Sequence, residues 1–166
     1  MEKRRPMVQP SVRHVARVVL LDQAKNLLLV RYEDLEPMDP DREGPLSYWV
    51  PPGGKLDGNE DYRSAARREL MEETGLSVKI GPWIWKRRLK LRFRNRWVPQ
   101  EERFFLAKID REKPAVANHS SEDIAEVRWW SMPDLKLSSS VFFPDGLVKL
   151  MIPIVAGEIP ADPILV

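Results

Sequence analysis

The chain has 166 residues, 43% of them hydrophobic and 31% charged, which suits one core and leaves no room for a second, so residues 1–166 read as a single domain. Its 27 Lys and Arg stand against 25 Asp and Glu, and the net charge of +2 gives no global reason for a nucleic-acid or membrane partner. Cysteine is absent and the histidines are His14 and His119, which excludes disulfides, a thiol nucleophile and cysteine-ligated zinc.

Residues 1–5 are basic, but Pro6, Gln9, Pro10, Arg13 and His14 follow where a secretory signal needs an unbroken apolar run. The apolar stretches 15–21 and 147–156 are interrupted by Arg17, Lys149 and Pro153 and fall short of the ~20 residues that span a bilayer. A cytoplasmic location is the expectation. Stretches 15–21 and 27–30 are rich in branched residues around a polar turn and predict a hairpin. Residues 33–45 are acidic and contain Pro37, Pro40 and Pro45, a long loop that reads equally as a lid or as a solvated insertion. A short strand at 48–50 is expected to end sharply at Pro51-Pro52-Gly53-Gly54.

Residues 59–74 are dense in good helix formers and Gly75 sits where helices commonly stop. Strands follow at 78–91, 102–109 and 127–130, with a turn at Asn95 and a polar connection at 110–118. The resulting sheet is mixed or antiparallel. Ser131-Met-Pro-Asp134 reads as a helix start, residues 145–151 as a second short helix stopped by Pro153, and 157–163 as a proline-rich surface segment.

Within the main helix, Glu69, Glu72 and Glu73 stand at i, i+3 and i+4 and emerge on one face. Like charges so spaced cost a few tenths of a kcal/mol per exposed pair, more where water is excluded. Arg68 neutralises part of that charge, and a hard divalent cation, which takes oxygen ligands from several carboxylates, would neutralise the rest. Gly53 and Gly54 let a carbonyl turn toward a cation and a polyphosphate approach the backbone. The plainer reading of the same residues is an ordinary solvated helix face.

Taken together, Gly54, Glu60 and Arg68-Glu69-Leu70-Met71-Glu72-Glu73-Thr74-Gly75-Leu76 resemble the Nudix signature at every specified position, over residues 54–76. At average residue usage a chance match has a probability on the order of one in ten million. The flanking strands and the aromatic stretch 127–131 look like the same family. The resemblance implies an α/β fold, an α/β/α sandwich with a mixed central sheet, holding Mg²⁺, or Mn²⁺, against a diphosphate. It further implies that Glu69, Glu72 and Glu73 are metal ligands, that the Gly54 carbonyl is another, and that Arg68, paired to Glu60, holds the ligands in place. The reaction implied is attack of water on a phosphorus of a nucleoside diphosphate linked to a further group X. The proton acceptor is left open between a helix glutamate and a loop acid, for which Glu122 or Asp123 would serve; ordinary loop acids are the equal alternative.

Lys86, Arg88, Lys90, Arg92, Arg94 and Arg96 alternate with other residues and predict one cationic strand face. Arg88, Lys90 and Arg92 would suit the phosphates of a nucleotide or an RNA 5′ end, or they protect a strand edge from pairing, with Glu101, Glu102 and Arg103 pairing across a hairpin. Among the six tryptophans, Trp83 and Trp85 are expected to share a face; any could stack on a base, although packing is the commoner use. Two functional readings result. One is a Mg²⁺-dependent pyrophosphohydrolase of small nucleotides. The other is a non-catalytic Nudix-like module binding a nucleotide or RNA, which has no physical need of three repelling acids. A homodimer, acidic loop against basic strand, is a further expectation.

Overall fold

The computed structural model describes residues 11–33, 47–93, 96–111 and 124–166, except for the side chains of residues 92 and 93. The expectations for the acidic stretch 34–46 and for Arg94, Asn95, His119, Glu122 and Asp123 lie outside the described residues, as does that for the side chain of Arg92.

The strands are β1 (Arg13–Leu21), β2 (Leu27–Glu33), β3 (Ser47–Val50), β4 (Gly53–Lys55), β5 (Trp83–Phe93), β6 (Arg96–Lys108), β7 (Ile124–Trp130) and β8 (Ile164–Leu165). The helices are α1 (Tyr62–Thr74), α2 (Met132–Leu137) and α3 (Leu147–Val155). The sheet runs β3-β2-β1-β6-β5-β8, with β4 added to β1 and β7 to β2. β1 and β6 are parallel, β1 and β2 antiparallel, so the sheet is mixed.

Alternation along β1 sorts the core into two faces. Ala16, Val18 and Leu20 pack with Phe105 and Ala107 against Ala65, Ala66 and Leu70 of α1. Val19 and Leu21 pack with Trp85, Phe104 and Leu106 against Leu135 of α2 and Leu147, Met151 and Ile154 of α3. A sheet with both faces apolar requires a layer on each side, and α1 on one face with α2 and α3 on the other give the α/β/α arrangement that the resemblance implies. Among the described residues no helix is long and apolar enough to cross a membrane.

Several details differ from the sequence-based expectation. Trp83 and Trp85 do not share a face, because a register shift between them places Trp83 opposite Phe105 and Trp85 opposite Phe104. Trp83 packs on the α1 side and Trp85 is buried on the other. Trp49 and Trp130 are also core, in edge-to-face contact at 5.0 Å, so packing accounts for these tryptophans. Arg96 belongs to β6, opposite Phe93 of β5, and so falls outside the cationic row. Residues 78–82 precede β5, and β6 begins well before residue 102. Helix α3 continues through Pro153 to Val155: one backbone hydrogen bond near its end is forgone, while Met151 and Ile154 remain buried. β4 and β8 were not expected, being too short and too poor in strand formers to show a period.

The parting of two strands positions the site. β1 and β2 meet at Leu21 and Leu27 beside their turn. Farther along, β1 is joined by β4 (Arg17 to Gly53) while β2 is joined by β3 (Val30 to Val50). The sheet therefore opens between β1 and β2, with α1 seated at the β1/β4 side.

Leu70 has no exposed surface and anchors α1 to the sheet. Leu70→Ala is expected to lower stability by about 2–5 kcal/mol, read as a reduced urea midpoint with an unchanged slope.

Candidate active site

Helix α1 begins where the Asp61 carboxylate accepts from Ser64 N at 2.9 Å and ends where Gly75, at φ 73°, donates its N–H to the Met71 carbonyl at 2.8 Å. Those caps fix the register on which Glu69, Glu72 and Glu73 appear. Glu73 is buried, Glu69 nearly so, and Glu72 half exposed.

The approach of β4 to α1 depends on its glycines. A Cβ on Gly54 would lie 2.5 Å from the Glu69 carboxylate carbon, so that carboxylate occupies the space a side chain would take. At Gly53, with φ 155°, a Cβ would lie 2.0 Å from the Ala16 carbonyl oxygen of β1. Only glycine allows both the backbone angle and the strand contact. The Gly53 N–H thereby reaches the Glu73 Oε2 at 2.8 Å, and the Tyr32 hydroxyl of β2 donates to Glu73 Oε1 at 2.7 Å.

Arg68 gathers the remaining acids. It donates to Glu60 at 3.0 and 2.9 Å, to Glu69 at 2.8 Å, to Glu72 at 3.3 Å and to the Lys55 carbonyl at 3.0 Å. Its hydrogen bonds hold Glu60 below the usual carboxylate range. Burial raises Glu69, with Arg68 partly opposing the shift. Burial pushes Glu73 up to about 7, against the opposing pull of Tyr32, Arg17 and Gly53. Burial and the Glu73 charge raise Tyr32, so its hydroxyl remains a donor at neutral pH. Among the described residues, no three acidic or histidine side chains converge in this geometry as a ready metal cluster. The reason lies in these contacts: Arg68 draws Glu69 and Glu72 to itself while the sheet draws Glu73 inward.

The chemistry of the donor set nonetheless fits a hard cation. Three carboxylates on adjacent turns and the adjoining glycine backbone offer oxygen alone. Among the described residues, the buried Glu73 carboxylate takes its hydrogen bonds from neutral donors, and a divalent ion would balance its negative charge.

A second polar cluster lies on the opposite face of β1. Glu102 of β6, with no exposed surface, accepts from Arg17 at 3.2 Å, Arg87 at 2.7 Å and Gln100 at 2.9 Å. Burial alone would raise this carboxyl, but Arg17 and Arg87 outweigh it and hold it below the ordinary value. Arg17 also donates to the Pro51 carbonyl at 3.2 Å, tying β1 to the chain entering β4. Across the opening, Tyr32 stacks on Tyr48 at 5.8 Å and Tyr48 meets Phe143 edge-on at 5.3 Å. The Arg87 guanidinium lies 5.6 Å from the Phe143 ring centre and joins the two walls. One wall is thus aromatic and the other cationic, and Tyr32 stands where the opening meets Glu73.

Of the expected signature residues, Glu60, Glu69 and Glu72 gather on Arg68, Gly54 lies against Glu69, Glu73 turns to Gly53 and Tyr32, and Leu70 packs in the core. Arg88 and Lys90 are not brought to them. They lie on β5, which β6 separates from β1; both are exposed, and Arg88 is 3.7 Å from Glu101. Arg87 pairs with Glu102 and Arg88 with Glu101, the cross-strand pairing expected of these bases. Arg17 and Tyr32 were missed. A single arginine inside an otherwise apolar strand was the available signal for the first, and nothing local distinguished the second.

The sequence model of the NUDIX domain matches residues 12–150. A Bacillus subtilis (strain 168) protein described as "Putative 8-oxo-dGTP diphosphatase" is 40% identical over 70 residues, 40% of each chain. An RNA pyrophosphohydrolase of Wolbachia pipientis is 30% identical over 117 residues, 64% of this chain and 72% of the other. Among solved structures, a MutT protein from Methanosarcina mazei aligns with a TM-score of 0.63 at 16% identity, covering 91% of this chain and 97% of that one; this likeness is of fold.

A raised Glu73 pKa means that the folded, metal-free protein binds a proton the unfolded chain releases. The stabilisation is full below the ordinary value of 4.5 and is lost as pH rises through about 7, on the order of 3 kcal/mol in all. Thermal unfolding of metal-free protein between pH 4.5 and 8 checks this; Glu73→Gln is expected to flatten that slope.

Proposed function

The chain belongs to the NUDIX family, and from that premise we propose that it is a hydrolase that cleaves the diphosphate of a nucleoside diphosphate linked to X by attack of water at phosphorus. The observation that carries the reading is the placement of the three signature glutamates, with Glu73 held by two neutral donors beside a glycine backbone. A module that only bound a ligand would have no physical use for an acidic face that strains its own helix.

Glu69, Glu72, Glu73 and the Gly54 carbonyl would hold Mg²⁺, or Mn²⁺, as family members use divalent cations. When bound, the cation supplies charge neutralisation at the phosphate oxygens and a lowered pKa for water. The chain's own groups do the rest. Gly53 lets β4 lie against β1, and Gly54 leaves room for the Glu69 carboxylate beside the β4 backbone. Arg68 bridges Glu69 and Glu72 through one nitrogen and offsets their mutual repulsion, and Glu60 fixes Arg68. Water adds to phosphorus, the bridging P–O bond breaks, and the displaced phosphate leaves with the electron pair; the water proton passes to a glutamate of α1 or to Glu122 or Asp123. The nucleoside would occupy the opening between β1 and β2, its base against Tyr48 and Phe143.

For X, a damaged nucleoside triphosphate comes first, supported by the Bacillus relative. An ADP-sugar and an RNA 5′ end follow, the last supported by the Wolbachia relative. Reaction in the cytoplasm is consistent with such substrates.

The test is a panel of 8-oxo-dGTP, ADP-ribose and a 5′-triphosphorylated RNA oligonucleotide, assayed for released phosphate or pyrophosphate with Mg²⁺ and after chelation. Turnover of at least one compound that disappears on chelation is expected. Glu73→Gln should fold and lose activity by about 100-fold or more, since a ligand charge is gone. Metal-independent binding without any turnover would establish the non-catalytic module instead. Gly54→Ala tests the backbone approach: a Cβ 2.5 Å from the Glu69 carboxylate must displace it, so activity should fall by a factor of ten or more, on the order of other losses of metal-ligand support, with the melting temperature little changed.

A further inference from the structure

The three signature glutamates are not held alike. Glu69 and Glu72 lean on one cation, Arg68, at 2.8 and 3.3 Å. That cation also serves Glu60, the Lys55 carbonyl and, at 3.5 Å, Asp57. Glu73 instead receives one neutral donor on each oxygen, the Tyr32 hydroxyl at 2.7 Å and the Gly53 N–H at 2.8 Å. The two donors come from β2 and β4, on separate parts of the sheet, so together they define the plane of the carboxylate. Each carboxylate oxygen has about two lone pairs. A single donor on each leaves one per oxygen for a cation, and neither donor has to be expelled when a cation arrives.

Tyr32 itself is braced. Its ring stacks on Tyr48 at 5.8 Å, and it is paired with Tyr48 across β2 and β3. The hydroxyl is therefore presented by a packed ring on a strand rather than by a free side chain, the arrangement that preorganises an outer support of a metal ligand.

We propose that Tyr32 is a positioning residue of the active site, whose hydroxyl orients the Glu73 carboxylate as the fixed member of the divalent-cation ligand set. Glu69 and Glu72 are the adjustable members, since both depend on one shared side chain, Arg68, rather than on donors fixed in the sheet. The inference rests on the reading of Glu73 as a ligand.

The test uses the full chain and Mn²⁺ alone, titrated by calorimetry into wild type, Tyr32→Phe, Glu73→Gln and the double variant. Tyr32→Phe keeps the ring and its stack and removes only the hydroxyl; a thermal melt of each protein establishes that it is folded at the titration temperature. Tyr32→Phe is expected to bind Mn²⁺ about 10- to 100-fold more weakly. The double variant should bind no more weakly than Glu73→Gln, because a hydroxyl that acts through Glu73 has nothing left to orient. An affinity in Tyr32→Phe equal to wild type, beside a weakened Glu73→Gln, would overturn the role of Tyr32 alone. Additive losses in the double variant would overturn it as well, since they would show Tyr32 acting independently of Glu73. Undiminished Mn²⁺ binding by Glu73→Gln would remove the ligand reading on which it rests.

Discussion

The close approach of β4 to its neighbours on both sides is the constraint from which the site follows. On one side Gly53 lies against the Ala16 carbonyl of β1, and on the other Gly54 lies beneath the Glu69 carboxylate of α1. A side chain at Gly53 would push the strand off β1, and one at Gly54 would displace the Glu69 carboxylate. The same approach turns the Gly53 N–H into a donor for Glu73. Helix, loop and sheet thus meet at a place where backbone, rather than side chains, fills the space.

Charge is managed differently on the two faces of β1. On the α1 face, negative charge exceeds positive, and Arg68 is shared among carboxylates that would otherwise repel one another. On the other face, the buried Glu102 is enclosed by Arg17, Arg87 and Gln100. Such a buried network adds little net stability, yet removal of one partner leaves an uncompensated buried charge. Its geometric effect is direct: Arg17 holds the Pro51 carbonyl, two residues before the glycine that supports Glu73. The two charge systems are therefore joined through one short piece of backbone.

The basic row on β5 shows how pattern and placement differ. Its alternation is real over Lys86, Arg88 and Lys90, yet β6 intervenes between it and the strand carrying the site. Glu101 answers Arg88 of that row across the hairpin, while Glu102 takes Arg87 from the strand's other face. Arg103, from the same strand as those acids, lies between the Tyr62 and Trp83 rings at 4.0 and 4.3 Å. Much of the cationic character is spent in holding sheet and helix together.

The sequence by itself determined strands marked by branched and apolar runs and left their sheet mixed or antiparallel; the parallel pairing of β1 with β6 made it mixed. It also determined the carboxylate helix, since helical spacing places Glu69, Glu72 and Glu73 together whatever surrounds them, and Gly75 ends the helix locally. Tertiary structure alone decided that Trp83 and Trp85 part company at a register shift, that Pro153 stays within α3, and that residues as short as Gly53–Lys55 pair with β1. It alone brought Tyr32 to Glu73, 41 residues apart, and Arg17 to Glu102, 85 residues apart. Periodicity and capping act over a few residues and are written in the chain; which donor reaches a buried carboxylate depends on where strands part and rejoin, and no local pattern carries that information.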